Sequence, residues 1–417
     1  MRYFGGDKPL WVIFFIFAFI SLFVVYSSTT SSLYGSTGAI SHISRLIKQL
    51  VYVAVGIAAV WGVHKIDYQM YGRAAKAAYA LSLVFMVLTM FFGVRKFDAQ
   101  RWLEIPIIGI TFQPSDFLKV TTVLLLSLQL ARRQITVGRI NLIPRWNLLK
   151  TNRKKAFDIL RHQTAPVFGP ILLSCCIIAP ENLSTALLMG ATCVVMLIIG
   201  RVRWGDIWRF MAIAMVGGVT MLGLMQLRTS QTEENNRSGT WKKRIAAFVN
   251  PDEVRREDPD YFYQIDQATI AIAMGEITGR GAGKSVQRHM LPKAESDYAF
   301  AFLIEEYGLL GALVCVILYL WIFYRAIVIF NRCGTAFPCL LVLGMAFLIT
   351  FQGLLNMMVA TGMMFQTGLA LPLISQGGSS ELFTSIAMGM ILGVSRQIEE
   401  KTLTTPRNES MLENNKK

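Results

Sequence analysis

The residues best placed to do chemistry are three carboxylates at the edge of a long apolar stretch. In the run His289-Met-Leu-Pro-Lys-Ala-Glu-Ser-Asp297-Tyr-Ala-Phe-Ala-Phe-Leu-Ile-Glu305-Glu306-Tyr-Gly308, Asp297 stands where a polar loop meets the apolar segment. Glu305 and Glu306 follow inside that segment. An ionisable group at mid-bilayer costs roughly 2.5–3.5 kcal/mol on insertion scales, so such groups are seldom idle. The run points to chemistry at a membrane surface. On a helix, Glu305 would lie about 12 Å from Asp297 and turned only about 80° from it, while Glu306 falls near the opposite face. Glu305 is therefore expected to join a site built around Asp297, and Glu306 to make a structural buried hydrogen bond. The plainer alternative for Asp297 is a helix N-cap before Tyr298.

Other unusual polar residues are scattered along the chain. Gln113-Pro114-Ser115-Asp116-Phe-Leu-Lys119 reads as a helix start, with Asp116 at the positive end of the helix dipole. Lys119 shares a face with Asp116 by the i,i+3 rule, either as a site cation or as a snorkelling lysine paired with it. Arg101-Trp102 reads as a site pair or as an interface anchor. Glu181-Asn182-Leu-Ser184-Thr185 marks a tight turn. Ser375-Gln376-Gly377-Gly378-Ser379-Ser380 offers hydroxyl donors and close backbone approach, or is a flexible turn.

The elements that must position these residues are membrane helices. The chain has 417 residues, 53% hydrophobic and 16% charged, a composition no soluble fold of this length needs. The expected class is an all-α polytopic membrane protein of about ten transmembrane helices with one large extracytoplasmic loop. Apolar segments lie at about 10–27, 46–63, 74–93, 115–131, 165–180, 183–200, 205–227, 298–330, 336–360 and 382–396. The first has no small-residue cleavage site and reads as a retained span rather than a signal peptide. Residues 1–227 would hold seven helices with a basic cytoplasmic loop at 132–164. Residues 228–297 would form the large loop with an amphipathic helix, 298–396 the last three helices, and 397–417 a disordered cytoplasmic tail.

Net charge is +15, but the basic residues concentrate in alternate connections. This positive-inside asymmetry places both termini in the cytoplasm and argues against nucleic acid. Segment 145–160 mixes basic and apolar residues, as an interfacial helix on anionic lipid would, or serves as an orientation signal alone. Five of the cysteines lie inside spans and Cys333 at a cytoplasmic turn; the four histidines are scattered, so neither disulfides nor zinc are expected. With this topology the five polar clusters all reach the outer headgroup level. Gly279-Arg-Gly-Ala-Gly283-Lys284-Ser285 imitates a phosphate loop, yet Thr278 occupies the position its first glycine requires.

Together these motifs resemble the SEDS family of bacterial wall polymerases (shape, elongation, division and sporulation), best known from FtsW, RodA and SpoVE, over almost the whole chain. The matching blocks are Gly6-Asp7-Lys8-Pro9-Leu10-Trp11, Arg101-Trp102, Gln113 to Lys119, Tyr263-Gln264-x-x-Gln267, Leu291-Pro292 with Asp297, and the Gly368 to Ser380 stretch. The first block leans towards FtsW. Glu295-Ser296 stand where the family usually has His-Thr, Gln376 where it has Tyr, and Asp116 where it has Glu.

The resemblance implies a peptidoglycan glycosyltransferase that joins lipid II disaccharides at the outer face of the bacterial inner membrane, with a septal, cell-division role. Asp297 would be the catalytic base or the ligand of a divalent cation, magnesium or manganese; one carboxylate does not decide between them. Lys119 and Arg101 would hold the diphosphate, with Trp102, Gln264, Arg288, Glu305, Ser375, Ser379 and Ser380 as further substrate-binding residues and Lys284 steering. No nucleotide, haem or zinc is implied. The implied partners are a class B penicillin-binding transpeptidase and other division or elongation membrane proteins, with no nucleic acid. The competing readings are a lipid II flippase or transporter, a RodA-like elongation polymerase, and a non-catalytic scaffold.

Overall fold

The computed structural model describes residues 4–29, 38–96, 99–105, 110–134, 139–144, 152–229, 244, 246–287 and 297–414. In chain order the elements are α1 (Lys8–Thr29), α2 (Gly38–His64), α3 (Tyr68–Phe92), β1 (Val94–Lys96), β2 (Ala99–Ile105), β3 (Ile110–Phe112) and α4 (Pro114–Ala131). There follow α5 (Arg153–Ile159), a π-helical turn (Leu160–Thr164), α6 (Ala165–Ile178), α7 (Leu183–Ile199) and α8 (Trp204–Thr229). The second half holds α9 (Pro251–Glu257), α10 (Pro259–Gly275), α11 (Ala299–Arg332), α12 (Ala336–Ala360) and α13 (Gly378–Asn414). Each apolar segment read from the sequence forms a helix. Among the described residues, five segments, Lys8–Ser27, Leu46–His64, Tyr68–Phe92, Ala299–Arg332 and Ala336–Ala360, are long and apolar enough to cross a membrane.

At the centre stand α4 and α12. All of α4 is buried except Phe117 and Ala131, and α12 packs beside it with Leu341, Val342, Met345 and Ala346 against the same core. Apolar surface alone gives little drive for helix association in lipid, so interhelical hydrogen bonds and close packing matter. A hydroxyl ladder supplies such bonds. Ser82 of α3 lies 2.8 Å from Thr121 of α4, and Thr122 lies 3.0 Å from Ser174 of α6, which Tyr79 also reaches at 3.1 Å. At the opposite wall, Asp7 caps α1 through the Leu10 N–H at 3.2 Å and takes the Arg325 guanidinium of α11.

Helix α11 is broken at Gly308, where φ is +68 and ψ is −168. The break frees backbone groups that lipid cannot satisfy. The segment after α10 takes them: Arg280 and Gly281 N–H donate to the carbonyls of Glu305 and Glu306 at 3.0 and 2.9 Å. In return Leu309 and Leu310 N–H donate to Glu276 and Ile277 carbonyls at 3.0 and 3.3 Å. A Cβ on Gly308 would stand 2.3 Å from the Ile277 carbonyl oxygen, and one on Gly279 would stand 2.2 Å from that of Glu306. The glycine-rich stretch that imitates a phosphate loop is thus a clasp on a broken membrane helix.

Two further features differ from the sequence reading. The connection between α3 and α4 is an antiparallel three-stranded sheet, β1-β2-β3, pairing Val94 with Trp102 and Leu103 with Phe112. The stretch 397–414, read as part of a disordered tail, continues α13. Its start is rich in helix formers, with an Arg396–Glu400 ion pair at 3.0 Å and Lys401 Nζ donating to Tyr68 at 3.0 Å.

Candidate functional site

The site is built from two halves. The first is the start of α4. Pro114 pre-sets the first turn, Ser379 Oγ accepts the Gln113 N–H at 3.1 Å, and Gln113 Nε2 donates to Ser115 at 3.0 Å. One turn in, Lys119 Nζ lies 2.8 Å from Asp116 Oδ1 and donates to Gln352 Oε1 of α12 at 3.0 Å. Both charged groups are buried, and Asp116 Oδ2 has no hydrogen-bond partner among the described residues. A crevice of about 20 Å³, room for about one water molecule, runs past Asp116, Lys119, Gln352 and Ser380.

The second half surrounds Asp297, which is half-buried at the mouth of α11. It is not the N-cap: Tyr298 holds that position, and no side chain caps it. Asn356 Nδ2 of α12 donates to the Asp297 carbonyl at 3.0 Å and to the Leu369 carbonyl at 2.6 Å. Gly368, at φ +67, lets the chain pass close by; a Cβ there would stand 3.9 Å from Asp297 Oδ2. Gln366 Nε2 donates to the Tyr298 hydroxyl at 2.9 Å and to Gln264 Oε1 of α10 at 3.3 Å. An adjoining cavity of about 220 Å³ is lined by Arg244, Phe248, Tyr261, Phe262, Tyr298 and Gln366.

Helix α12 joins the halves. Gln352 Nε2 donates to the Ala370 carbonyl at 3.0 Å, so Gln352 and Asn356, one turn apart, hold adjacent residues of the segment after α12. Lys119 and Asp297 are thereby linked through one polar stripe: Lys119, Gln352, the carbonyls of 369–370, Asn356 and the Asp297 backbone. Neither Gln352 nor Asn356 was singled out from sequence. Two amides at i,i+4 in an otherwise apolar span were the available signal.

The remaining expected residues fall as follows. Ser379 ties the last-helix block to α4, and Ser380 lines the crevice. Ser375 Oγ closes a local turn by accepting the Leu371 N–H at 2.8 Å. Trp102 is half-buried in β2. Arg101 belongs to the same strand, with its side chain outside the description. Strand β3 leads directly into Gln113. Arg288 and the run His289–Ser296 lie outside the described residues. Glu305 is engaged by the segment after α10: its carboxylate accepts from the Ser285 hydroxyl and from Val286 and Gln287 N–H at 2.8 and 3.2 Å. Glu306 accepts from Ser27 and from Gly283 N–H at 3.0 Å, so both carboxylates pin the clasp.

The family model of FtsW, RodA and SpoVE, described as cell cycle protein, matches residues 7–400. A probable peptidoglycan glycosyltransferase FtsW from Nitrosococcus halophilus is 29% identical over 356 residues, 84% of this chain and 82% of its own. Stage V sporulation protein E of Bacillus subtilis is 27% identical over 355 residues, 84% and 86% of the two chains. Among solved structures, a chain of a peptidoglycan synthase complex that coordinates polymerization and crosslinking superposes with a TM-score of 0.63 at 21% identity, over 94% of this chain and 98% of that one. RodA of Thermus thermophilus superposes with a TM-score of 0.59 at 21% identity, over 95% and 98%. At that identity the two structures bear on the fold alone.

Proposed function

The chain belongs to the FtsW, RodA and SpoVE family of cell cycle proteins, and from that premise we propose that it is a peptidoglycan glycosyltransferase. It polymerises lipid II into glycan strands in the membrane. The observation that carries the reading is the buried polar stripe joining Lys119 to the Asp297 segment across α12. Buried charge and amides at such depth are costly unless used.

Sugar transfer needs a base for the acceptor hydroxyl and positive charge for the departing diphosphate. In this reading Asp297 takes the hydroxyl proton, and Lys119 faces the diphosphate, exchanging Asp116 for a second anion. The rings of Tyr261, Phe262 and Tyr298, edged by Gln366 and Arg244, offer the flat apolar faces and polar rim that suit a sugar. Among the described residues no three metal-binding side chains gather, and of these residues Asp297 is the carboxylate proposed for a divalent cation. One or two carboxylates with substrate phosphates and water are how magnesium is usually held, so the residues fit such an ion. When bound, magnesium or manganese supplies charge neutralisation at the diphosphate.

The protein is an integral membrane protein. The positive-inside asymmetry supports cytoplasmic termini and an outward-facing site. A single-span class B penicillin-binding transpeptidase is the proposed partner, supported by the neighbour taken from a synthase complex. The FtsW-like relatives and the N-terminal block favour a septal role over elongation.

The test is purified protein with its transpeptidase partner, in liposomes carrying labelled lipid II. Asp297→Asn is expected to abolish polymer while unfolding at the wild-type temperature. Polymer formed at the wild-type rate by that variant would refute the assignment of Asp297. Leaflet scrambling of label without polymer would select the flippase instead.

A further inference from the structure

The basic stretch after α4 plays no part in polymerisation as just described. Helix α4 is about 27 Å long at 1.5 Å per residue, so its C-terminal end lies far from Asp116. There a cavity of about 770 Å³ opens between α3, the end of α4, the 139–144 segment and the start of α6. Lys76, Arg132, Arg133 and His162 line it, with the amides of Gln129 and Asn141. Among the described residues, neither Lys76 nor either arginine pairs with a carboxylate. The cluster is cationic without internal compensation.

Arg133 is built into the wall. Its Nη1 donates to the Gln129 carbonyl and side-chain oxygen, both at 2.8 Å, and its Nη2 donates to the His162 carbonyl at 2.8 Å. Its Nε–H is buried without an acceptor among the described residues. Burial and then the neighbouring Arg132 push this guanidinium down from its ordinary value, as expected of a cation held beside another. A fixed arginine with an unused donor, next to an exposed lysine and arginine, suits a phosphate oxygen set.

The surroundings lie at a membrane surface. Phe157 and Leu160 are 62% and 37% exposed beside the basic Arg153, Lys154 and Lys155, the mixture of an interfacial helix. The 139–144 segment is tied to the start of α8: Ile140 N–H donates to the Arg201 carbonyl at 2.9 Å, and Arg203 N–H to the Ile140 carbonyl at 3.1 Å. There Trp204 and Trp208 stand 44% and 64% exposed, as aromatic residues do at the headgroup level.

We propose that this cavity binds the phosphate of an anionic phospholipid headgroup. The site is separate from the polymerising centre. Its test uses detergent-solubilised full-length protein, with native mass spectrometry of bound lipid. Wild-type protein is expected to retain phosphatidylglycerol over phosphatidylcholine. The exposed pair Lys76→Gln and Arg132→Gln together are expected to weaken phosphatidylglycerol binding on the order of thirtyfold, and Arg132→Gln alone by roughly fivefold. Undiminished retention in the double variant would overturn the site. Inorganic phosphate, added at the same phosphate concentration, is expected to leave the unfolding temperature unchanged. Protection equal to that given by phosphatidylglycerol would make free phosphate the ligand and overturn the lipid assignment.

Discussion

Gln352 and Asn356 stand one turn apart on α12 and hold opposite halves of the site, one bonded to the Lys119 ammonium and the other to the Asp297 backbone. The helix that carries no expected catalytic residue therefore sets the distance between those that are. Substituting Asn356 by Leu takes the amide donor away from the Asp297 and Leu369 carbonyls, and a buried carbonyl so deprived costs about 1–3 kcal/mol. Asn356→Leu is expected to lower kcat more than it raises KM for lipid II. Equal changes in both would mean that the amide only holds substrate.

Lys119 and Asp116 form a buried pair 2.8 Å apart. Removing one partner of such a pair typically costs about 3–5 kcal/mol, because the other charge is stranded. Lys119→Met is thus expected to lose both stability and polymer. Asp116→Asn combined with Lys119→Met should recover most of the unfolding temperature but none of the polymer. Recovery of polymer in the double variant would assign Lys119 to packing alone.

The clasp makes a sharp prediction about glycine. Gly308→Ala puts a methyl 2.3 Å from a carbonyl oxygen at a positive φ, and the bonds around the break are expected to part. Membrane yield and unfolding temperature should both fall, by about 3 kcal/mol or more if strain and lost bonds add. Gly334→Ala, with nothing within 4 Å of its new Cβ, is the control expected to behave as wild type.

Glu305 tests whether a carboxylate in the apolar segment serves the substrate or the fold. Its oxygens are taken by Val286 N–H, Gln287 N–H and the Ser285 hydroxyl. Glu305→Gln keeps an acceptor for part of that set and is expected to retain measurable polymer. Glu305→Ala should free the loop, read as faster proteolysis between Gly275 and Asp297. Wild-type protease resistance in Glu305→Ala would contradict the loop role.

Much of the fold was legible because a membrane span declares itself by twenty apolar residues, whatever it later packs against. The candidate residues stand out in sequence where a charge interrupts or borders such a span, as at Lys119 and Asp297. The site was hidden where the interruption was an uncharged amide. Gln352 and Asn356 read as tolerable polar residues in sequence and show their role only once α4 and the 361–377 segment are packed on them. The partners of Glu305 were hidden for another reason. Helical periodicity put it on the side of Asp297, but periodicity assumes an isolated helix, and the break at Gly308 brings a loop across that face. The small sheet escaped notice because β1 and β3 are three residues each, too short for alternation to register.

The broken helix also decides where this protein can change length. Across the break, Glu276 and Ile277 bond to Leu309 and Leu310, and Arg280 and Gly281 to Glu305 and Glu306. An insertion or deletion within either set would throw every facing pair out of step at once. Ser285, Val286 and Gln287 are held in turn by the Glu305 carboxylate, so changes in length at the outer rim are expected to be tolerated only beyond Gln287. The segment that looks most like a spare loop thus carries a fixed part, and that part reaches at least to Gln287, whose N–H the Glu305 carboxylate accepts.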